Sequence, residues 1–276
     1  MKIAFLFLVY DRIENERLWV EDFFGPSDTN KYSIYIHKKP ELTSRLEFLK
    51  DKTLSYCVDT KWADISLLIA QNLLLSEALK DRENERFIFL SQSCVPVKTL
   101  DFIHDSIFSK KKSLFNERPK AFIPRYNQIQ DTLKDNKIHK ASQWCILTKK
   151  HASLLASEKT FFNKRWMDIF SQVFAPDEIA YLTILNMMGL SQELEITNDK
   201  CYATTFTNWG PHPQGEGSTG YVMPEYKYDR PNINRVKDYS QVTKNEIDDI
   251  IKSDSFFARK FQKNCVVVPN KEKLEN

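Results

Sequence analysis

Short apolar runs alternate with longer segments of helical periodicity in the first half of the chain. Residues 3–10, 32–37 and 86–90 each predict a buried strand. The intervening residues 14–24 and 65–80 carry apolar positions at helical spacing and predict helices. Because strands and helices alternate, the pattern indicates an α/β fold with a mostly parallel central sheet flanked by helices.

The second half predicts a less regular succession. Residues 100–108 predict a helix, 109–140 a polar surface loop, and 140–147 a strand with a polar start. Residues 204–235 hold four glycines and several prolines, and are too long for a passive connector, which favours a functional loop or lid. Residues 243–263 predict a terminal helix.

Composition excludes several classes of protein. The 276 residues are 42% hydrophobic, enough for one sizeable domain, and the net charge of +3 disfavours nucleic-acid binding. Five scattered cysteines without a C-x-x-C pair argue against a zinc cluster and a complete disulfide framework. The first apolar run is too short to span a membrane and lacks a cleavage site. We therefore expect a cytoplasmic protein with neither signal peptide nor transmembrane anchor.

Polar residues follow the first two predicted strands. Ligands of open α/β sheets bind beyond the carboxyl ends of the strands, so Tyr10, Asp11 and His37 fall where a nucleotide could bind. The first strand is followed by no glycine-rich turn, which weakens a dinucleotide or P-loop interpretation. The chain also contains no Asp-x-Asp pair to hold a divalent cation, so we predict a site without metal.

Two adjacent carboxylates, Asp177 and Glu178, follow Pro176 at the start of a predicted helix. Taken alone, the pattern is typical of an ordinary helix start, where the helix dipole stabilises acidic residues. Other short motifs accompany it in a fixed order: Ser142-Gln143-Trp144, Trp209-Gly210-Pro211-His212-Pro213 and Phe257-Ala258-Arg259-Lys260-Phe261. In that order, the chain resembles the core-2/I-branching β-1,6-N-acetylglucosaminyltransferase family, which includes peptide xylosyltransferases.

The resemblance implies a glycosyltransferase-A-like fold and an inverting, metal-independent reaction. It makes Glu178 the catalytic base and places Asp177 nearby, where it would orient the helix start or the acceptor. Trp144 and Trp209 would offer flat apolar faces to sugar rings on the acceptor side. The whole of 1–276 would be one glycosyltransferase domain, with a nucleotide-sugar-binding half, 1–110, and an acceptor-binding and catalytic half, 111–276.

On the donor side, the resemblance places Trp62 beside the sugar pocket, although a hydrophobic staple before the Asp64 N-cap explains Trp62 equally well. Ser93 belongs to the matching Ser-x-Ser-Cys-x-Pro turn. Preorganised cations can stabilise a departing diphosphate in place of a metal. The residues that would supply the cations are Lys260, Arg259 and Arg235.

The implied substrates are a UDP-sugar, with N-acetylglucosamine as the expected donor sugar and xylose as the alternative, and a hydroxyl of a glycan or lipid-linked oligosaccharide. We expect no further cofactor, and peripheral membrane contact is compatible with such an acceptor. A second hypothesis is an inactive glycan- or nucleotide-binding member. It is suggested by Gln92, where the family has an acid, and by His37, where many members have Asp.

Overall fold

A six-stranded mixed sheet forms the centre of the computed structural model. The structure describes residues 1–117, 126, 129, 132–133, 138–157, 164–197, 204–208 and 236–268. The strands of this sheet are β1 (Lys2–Val9), β2 (Tyr32–Lys38), β3 (Asn84–Ser91), β5 (Ser113–Asn116), β6 (Ile146–Thr148) and β7 (Leu194–Thr197), and a short β4 (Val95–Pro96) lies outside it.

The sheet has the strand order β2-β1-β3-β6-β5-β7. Strand β1 pairs in parallel with β2 and β3, and β5 pairs in parallel with β7. Only β6 runs opposite, since it is antiparallel to both β3 and β5. The predicted α/β fold with a mostly parallel sheet is therefore confirmed, and strands from both halves of the chain share this sheet.

The two faces of β1 pack against different layers. Ala4 and Leu6 belong to one buried cluster, and Ile3, Phe5 and Phe7 belong to the other. This alternation follows from the two-residue period of a strand. Because both faces are covered, β1 is a nearly continuous apolar run.

Helices cover both faces of the sheet. The first cluster includes residues of α1 (Ile65–Ala78), α3 (Lys149–Ala156) and α5 (Ala180–Met187), and the second includes α2 (Leu100–Ser109) and a π-helical segment, Leu18–Phe24. Helices α4 (Lys164–Phe170) and α6 (Lys244–Lys252) also lie within the described residues. Polar side chains start several helices, as expected for N-caps: Asp64 for α1, Thr99 for α2, Thr148 for α3 and Thr243 for α6.

Two small sheets lie beside the main one. Strand β10 (Phe257–Arg259) pairs with β4 and with β8 (Thr205–Thr207), and β11 (Phe261–Val268) pairs with β9 (Tyr239–Thr243). The β4–β10 pairing joins the turn after β3 to the end of the chain. The segment that contains Arg259 and Lys260 is thereby held next to the carboxyl edge of the main sheet.

Three predictions for the second half are wrong. The predicted polar loop 109–140 contains β5, whose four residues are all buried. The predicted strand 140–147 is regular only over Ile146–Thr148, because residues 142–145 form irregular backbone. The predicted terminal helix 243–263 ends at Lys252 and is followed by β10 and β11.

Residues 209–235, most of the predicted loop or lid, lie outside the described residues, so that prediction is untested. Within the described ranges, no helix has both the length and the apolar composition needed to cross a bilayer.

Candidate active site

The carboxyl ends of β1, β2 and β3 meet at one edge of the main sheet, as parallel strands require. Gln92, just after β3, links two of these ends, because its Oε1 accepts a hydrogen bond from the Tyr10 backbone N–H at 2.8 Å. The Tyr10 carbonyl in turn accepts from the Lys39 N–H at 2.8 Å. The side chain of Tyr10 is 52% exposed at this edge. Tyr10 is thus fixed through its backbone while its ring remains open to a ligand.

His37, near the end of β2, is fully buried. Its Nε2 accepts a hydrogen bond from the Val58 N–H at 2.9 Å, and burial lowers the pKa of the imidazole to about 4. The ring is therefore neutral at physiological pH, and its hydrogen bond to Val58 holds the segment after β2 in place. Its Nδ1 is buried without a hydrogen-bond partner among the described residues. A direct contact between His37 and a nucleotide, predicted from its place at the strand end, remains untested.

Ser93 connects the turn after β3 to the last part of the chain. Its hydroxyl lies 3.2 Å from that of Ser91, and its carbonyl accepts a hydrogen bond from the Phe261 N–H at 2.9 Å. Because Phe261 directly follows Lys260, this bond holds the Arg259–Lys260 segment against the Ser91–Cys94 turn. Ser93 thus contributes to the site through its backbone.

Arg259 and Lys260 are two adjacent, half-buried cations. The Arg259 guanidinium lies 4.7 Å from the centre of the Trp144 ring, a cation–π distance. Burial lowers the pKa of Arg259, while Cys94, Glu178 and Asp238 act in the opposite direction. Among the described residues, Arg259 Nε is buried without a hydrogen-bond partner.

Lys260 is more strongly perturbed than its neighbour. Burial, reinforced by the adjacent Arg259, lowers the pKa of Lys260 to about 8, and only Asp238 opposes this effect. No carboxylate of the described residues lies within ion-pair distance of its ammonium. A poorly solvated cation next to a second cation is the kind of environment that an anionic ligand would stabilise.

The two carboxylates lie on a 3₁₀ turn, Pro176–Glu178, that precedes α5. The prediction that they occupy the first turn of the helix is therefore corrected, because α5 begins only at Ala180. Ala175, just before the turn, has φ of 54°, and its N–H donates to the Ala63 carbonyl at 2.9 Å. Ala63 itself has φ of 58°. Two left-handed residues thus join the carboxylate turn to the start of α1.

Trp62 reinforces the same junction. Its ring packs edge-on against Phe174, with ring centres 5.1 Å apart, while 59% of the residue remains exposed. The structure thus places an exposed aromatic residue two positions before the N-cap of α1 and close to the carboxylate turn. Its predicted donor-binding role remains untested.

Glu178 forms an ion pair with a residue that the sequence did not single out. Its Oε2 accepts from Lys140 Nζ, and its backbone carbonyl accepts from the Ala141 N–H at 2.7 Å. The Ser142 N–H donates to the Asn116 carbonyl at the end of β5, at 2.8 Å. The segment before Trp144 is therefore held between β5 and the Glu178 turn. In the sequence, the one feature that could have pointed to Lys140 is its position two residues before the Ser142-Gln143-Trp144 motif.

Asp177 points into a small cavity of about 10 Å³, roughly the space of one water molecule. Burial, together with the charge of Glu178, raises the pKa of Asp177 to about 7. Its Oδ1 and the Tyr181 hydroxyl are both buried without a partner within the described part of the chain. Burial also raises the pKa of Tyr181. The remaining polar lining comes from Ser142, Gln143 and Glu178.

Trp144 follows the segment that hydrogen-bonds to the carboxylate turn, and its ring contacts the cation pair. It is only 6% exposed, and Arg259 occupies one face of its ring. The open sugar-stacking face predicted for Trp144 is therefore not present in the described structure. Trp209 and Arg235 lie outside the described residues, so the predictions for them are untested. The metal prediction also remains a prediction, although no three potential ligands converge within the described ranges.

Fold and site together define an α/β protein with a carboxylate turn and a cation pair near one edge of its central sheet. The family model of the Core-2/I-Branching enzymes matches residues 3–250. The chain belongs to this family, which confirms the resemblance. The protein named Glycosyltransferase BC10, from Oryza sativa subsp. japonica, is 30% identical over 220 residues, which cover 70% of the chain. Those residues cover 55% of that relative, so the chain spans about half its length.

Solved structures with weaker similarity include two glycosyltransferases. Galactosyltransferase LgtC, in complex with donor and acceptor sugar analogs, gives a TM-score of 0.42 at 12% identity, over 74% of this chain and 76% of that one. The apo form of mouse xyloside xylosyltransferase 1 gives a TM-score of 0.37 at 9% identity, over 75% of this chain and 88% of that one.

Proposed function

We propose that this chain is an inverting, metal-independent glycosyltransferase that moves a sugar from a UDP-sugar to a hydroxyl of a glycan acceptor. The observation that carries the proposal is that Glu178 lies near enough to Arg259 for its charge to act on the guanidinium, so that a carboxylate and the Arg259–Lys260 pair share one site. A base and an anion site are the two groups that this reaction needs. N-acetylglucosamine is the expected donor sugar, and the acceptor is a glycan or a lipid-linked oligosaccharide.

Glu178 supplies the base in this mechanism. The acceptor hydroxyl attacks the anomeric carbon from the face opposite the diphosphate and gives its proton to the Glu178 carboxylate. A new carbon–oxygen bond forms while the bond to the phosphate oxygen breaks, and the electron pair leaves with UDP. The configuration at the anomeric carbon is inverted because attack and departure occur on opposite faces. Geometry supports Glu178 over Asp177, because Asp177 is buried in its cavity.

Lys260 and Arg259 supply the charge that stabilises the leaving diphosphate. Both lie beside the Ser91–Cys94 turn, where the carboxyl ends of β1 and β3 meet. Lys260 is poorly solvated and has no ion-pair partner within the described part of the chain, so a diphosphate would restore its favoured charged form. Fixed cations in a partly desolvated site need little reorganisation during the reaction, which is why they can act in place of a metal.

The two residues that suggested an inactive protein retain acceptor atoms. Gln92 Oε1 accepts from the Tyr10 N–H, and His37 Nε2 accepts from the Val58 N–H. A carboxylate at either position could accept the same kind of bond, so the substitutions remove charge without removing the acceptor. The inactive alternative therefore gains no support from the geometry. Xylose remains the alternative donor sugar, and contact with a membrane surface would accompany a lipid-linked acceptor.

The test is UDP release from UDP-N-acetylglucosamine, UDP-xylose and other UDP-sugars, by wild type and by Glu178→Gln. We expect the variant to lower turnover about a hundredfold or more, because it removes the base, while its affinity for UDP is unchanged. Glu195→Gln is the matched control, since Glu195 also pairs with a lysine, Lys110, at 2.6 Å but lies on β7. Near-normal turnover by Glu178→Gln would refute the assignment of the base.

A further inference from the structure

Two adjacent carboxyl groups on one turn have opposite surroundings. Asp177 is buried and its Oδ1 has no partner within the described residues, whereas the side chain of Glu178 is 31% exposed and paired with Lys140. Burial favours the protonated form of Asp177, whereas Glu178 is partly open to solvent and held by an ion pair. Of the two carboxyl groups, Glu178 is therefore the one that an acceptor hydroxyl can reach. The orientation of its carboxylate depends on Lys140.

Lys140 is held rigidly enough to orient its partner. Its side chain is only 12% exposed, and the next residue, Ala141, donates its N–H to the Glu178 carbonyl at 2.7 Å. Ala141 also forms a bridge with Glu117 at the end of β5. The ion pair is thus accompanied by a backbone hydrogen bond between the same two segments. The ion pair uses Oε2 of Glu178. Within the described part of the chain, Oε1 of Glu178 accepts no hydrogen bond.

We propose that Lys140 is a positioning residue for sugar transfer: its ammonium fixes Oε2 of Glu178 and leaves Oε1 to receive the proton of the acceptor hydroxyl. This inference rests on the proposed function and adds to it a residue outside the motifs that define the site in the sequence.

The ion pair also explains how the base is regenerated. After transfer, Glu178 carries the acceptor's proton and is neutral, while Lys140 keeps its charge. Loss of this proton to water restores the ion pair. Among the described residues, the charged or titratable groups next to Glu178 are Lys140 from the segment before β6, Arg259 from β10 and Asp177 from its own turn.

The experiment compares Lys140→Met and Lys140→Arg with wild type. It measures UDP release from UDP-N-acetylglucosamine, with water as the acceptor. We expect Lys140→Met to lower turnover about tenfold, because Glu178 loses the group that orients its carboxylate. The KM for the donor should change little. Lys140→Arg should restore part of the turnover.

The control is Lys2→Met. Lys2 is similarly half-buried, with 19% side-chain exposure, and pairs with Asp81 at 3.1 Å, but it lies at the amino end of β1, away from the site. We expect this variant to keep the turnover of wild type. If Lys140→Met does not fold, Lys140→Gln replaces it, since a glutamine keeps a polar end without the charge.

A merely structural ion pair would give a different result. Lys140→Met would then keep the turnover of wild type once folded, or Lys140→Arg would restore none of the lost turnover; either outcome overturns the inference. In the Glu178→Gln background, Lys140→Met should have no further effect on turnover, and an independent tenfold loss would also contradict the inference. Normal turnover by Glu178→Gln alone would instead refute the proposed function, so the two failures can be told apart.

Discussion

The carboxylate turn and the cation pair differ in how their charges are balanced. On the turn, Glu178 is paired with Lys140, and Asp177 is largely protonated below a pH of about 7. The cation side is unbalanced, because Arg259 contacts an aromatic ring and Lys260 has no ion-pair partner in the described ranges. The comparison teaches that only the cation side has charge to offer a ligand. The turn instead offers a single carboxylate oxygen.

Backbone hydrogen bonds hold the two sides against different elements of the fold. The carboxylate turn is joined to α1 through Ala63 and to the segment before Trp144 through Ala141. The cation segment is joined to the Ser91–Cys94 turn through Phe261 and to β9 through the Lys260 carbonyl, which accepts from the Tyr239 N–H at 2.7 Å. Backbone hydrogen bonds position both sides, so side-chain substitutions there can be expected to change chemistry more than fold.

The largest effect should follow from removing the unbalanced charge. We expect Lys260→Ala to lower turnover by about a hundredfold to a thousandfold, the range for loss of one preorganised electrostatic group. Affinity for UDP should fall as well. In wild type, that affinity should decline as the pH rises through about 8, because Lys260 then loses its proton. Turnover and UDP titrations at several pH values measure both effects.

Lys263→Ala is the matched control, because Lys263 lies on the same strand as Phe261 but its side chain is 61% exposed and lies 3.7 Å from a carboxylate of Glu47. Its turnover should be close to that of wild type. Chelator should leave activity unchanged if cations replace a metal. Activity that collapses in chelator and returns with manganese would show that the proposed metal-free mechanism is wrong.

A smaller effect is expected from Trp144, whose ring contacts Arg259. Trp144→Leu removes this ring, and a desolvated cation–π contact is worth about 2 kcal/mol, so UDP should bind roughly thirtyfold more weakly. Trp144→Phe keeps an aromatic face and should bind UDP nearly as tightly as wild type. Calorimetry with UDP measures the difference. If Trp144→Leu binds UDP normally and loses only thermal stability, then the ring has a core role alone.

The smallest effect concerns the stability contributed by Asp177. Its folded-state pKa of about 7 lies above the ordinary value of 3.8, so the folded protein binds this proton more tightly than the unfolded chain. Stability should therefore fall as the pH rises from about 4 to about 7 and then level off. Asp177→Asn cannot ionise and should melt a few degrees higher than wild type at about pH 8, since 1 kcal/mol corresponds to about 2–4 °C. Near pH 4 the two midpoints should converge, and an equal difference at both pH values would contradict the prediction.

Buried polar side chains elsewhere show that such contacts do not by themselves define a site. Ser113, His151 and Glu193 form a serine–histidine–glutamate series, with 2.7 Å between the Ser113 hydroxyl and His151 Nδ1, and 3.4 Å between His151 Nε2 and a Glu193 oxygen. Ser113 is fully buried and its oxygen accepts from the Thr148 N–H at 2.9 Å, so no substrate reaches it. This series connects β5 and α3 structurally.

The sequence by itself located the first three strands of the main sheet and the start of α1. The apolar runs of β1, β2 and β3 and the Asp64 cap of α1 are local signals, so the strand ends that hold Tyr10, His37 and Gln92 could be located in advance. The motif around Glu178 also identified the family, because the order of this motif and the others can be read directly from the sequence. Local patterns succeed there since each element is covered on both faces and carries its own periodicity.

Only the tertiary structure decided how the two sides meet. Lys140 lies 38 positions before Glu178, and Arg259 lies far from Trp144 in sequence, so neither contact leaves a local pattern. The terminal helix was mispredicted over residues 257–263 because pairing of β10 with β4 and β8 overrides local helical spacing. Burial, which separates Asp177 from Glu178, is likewise a property of packing. Charges acquire their role from neighbours that the fold supplies, and the chain order alone does not specify these.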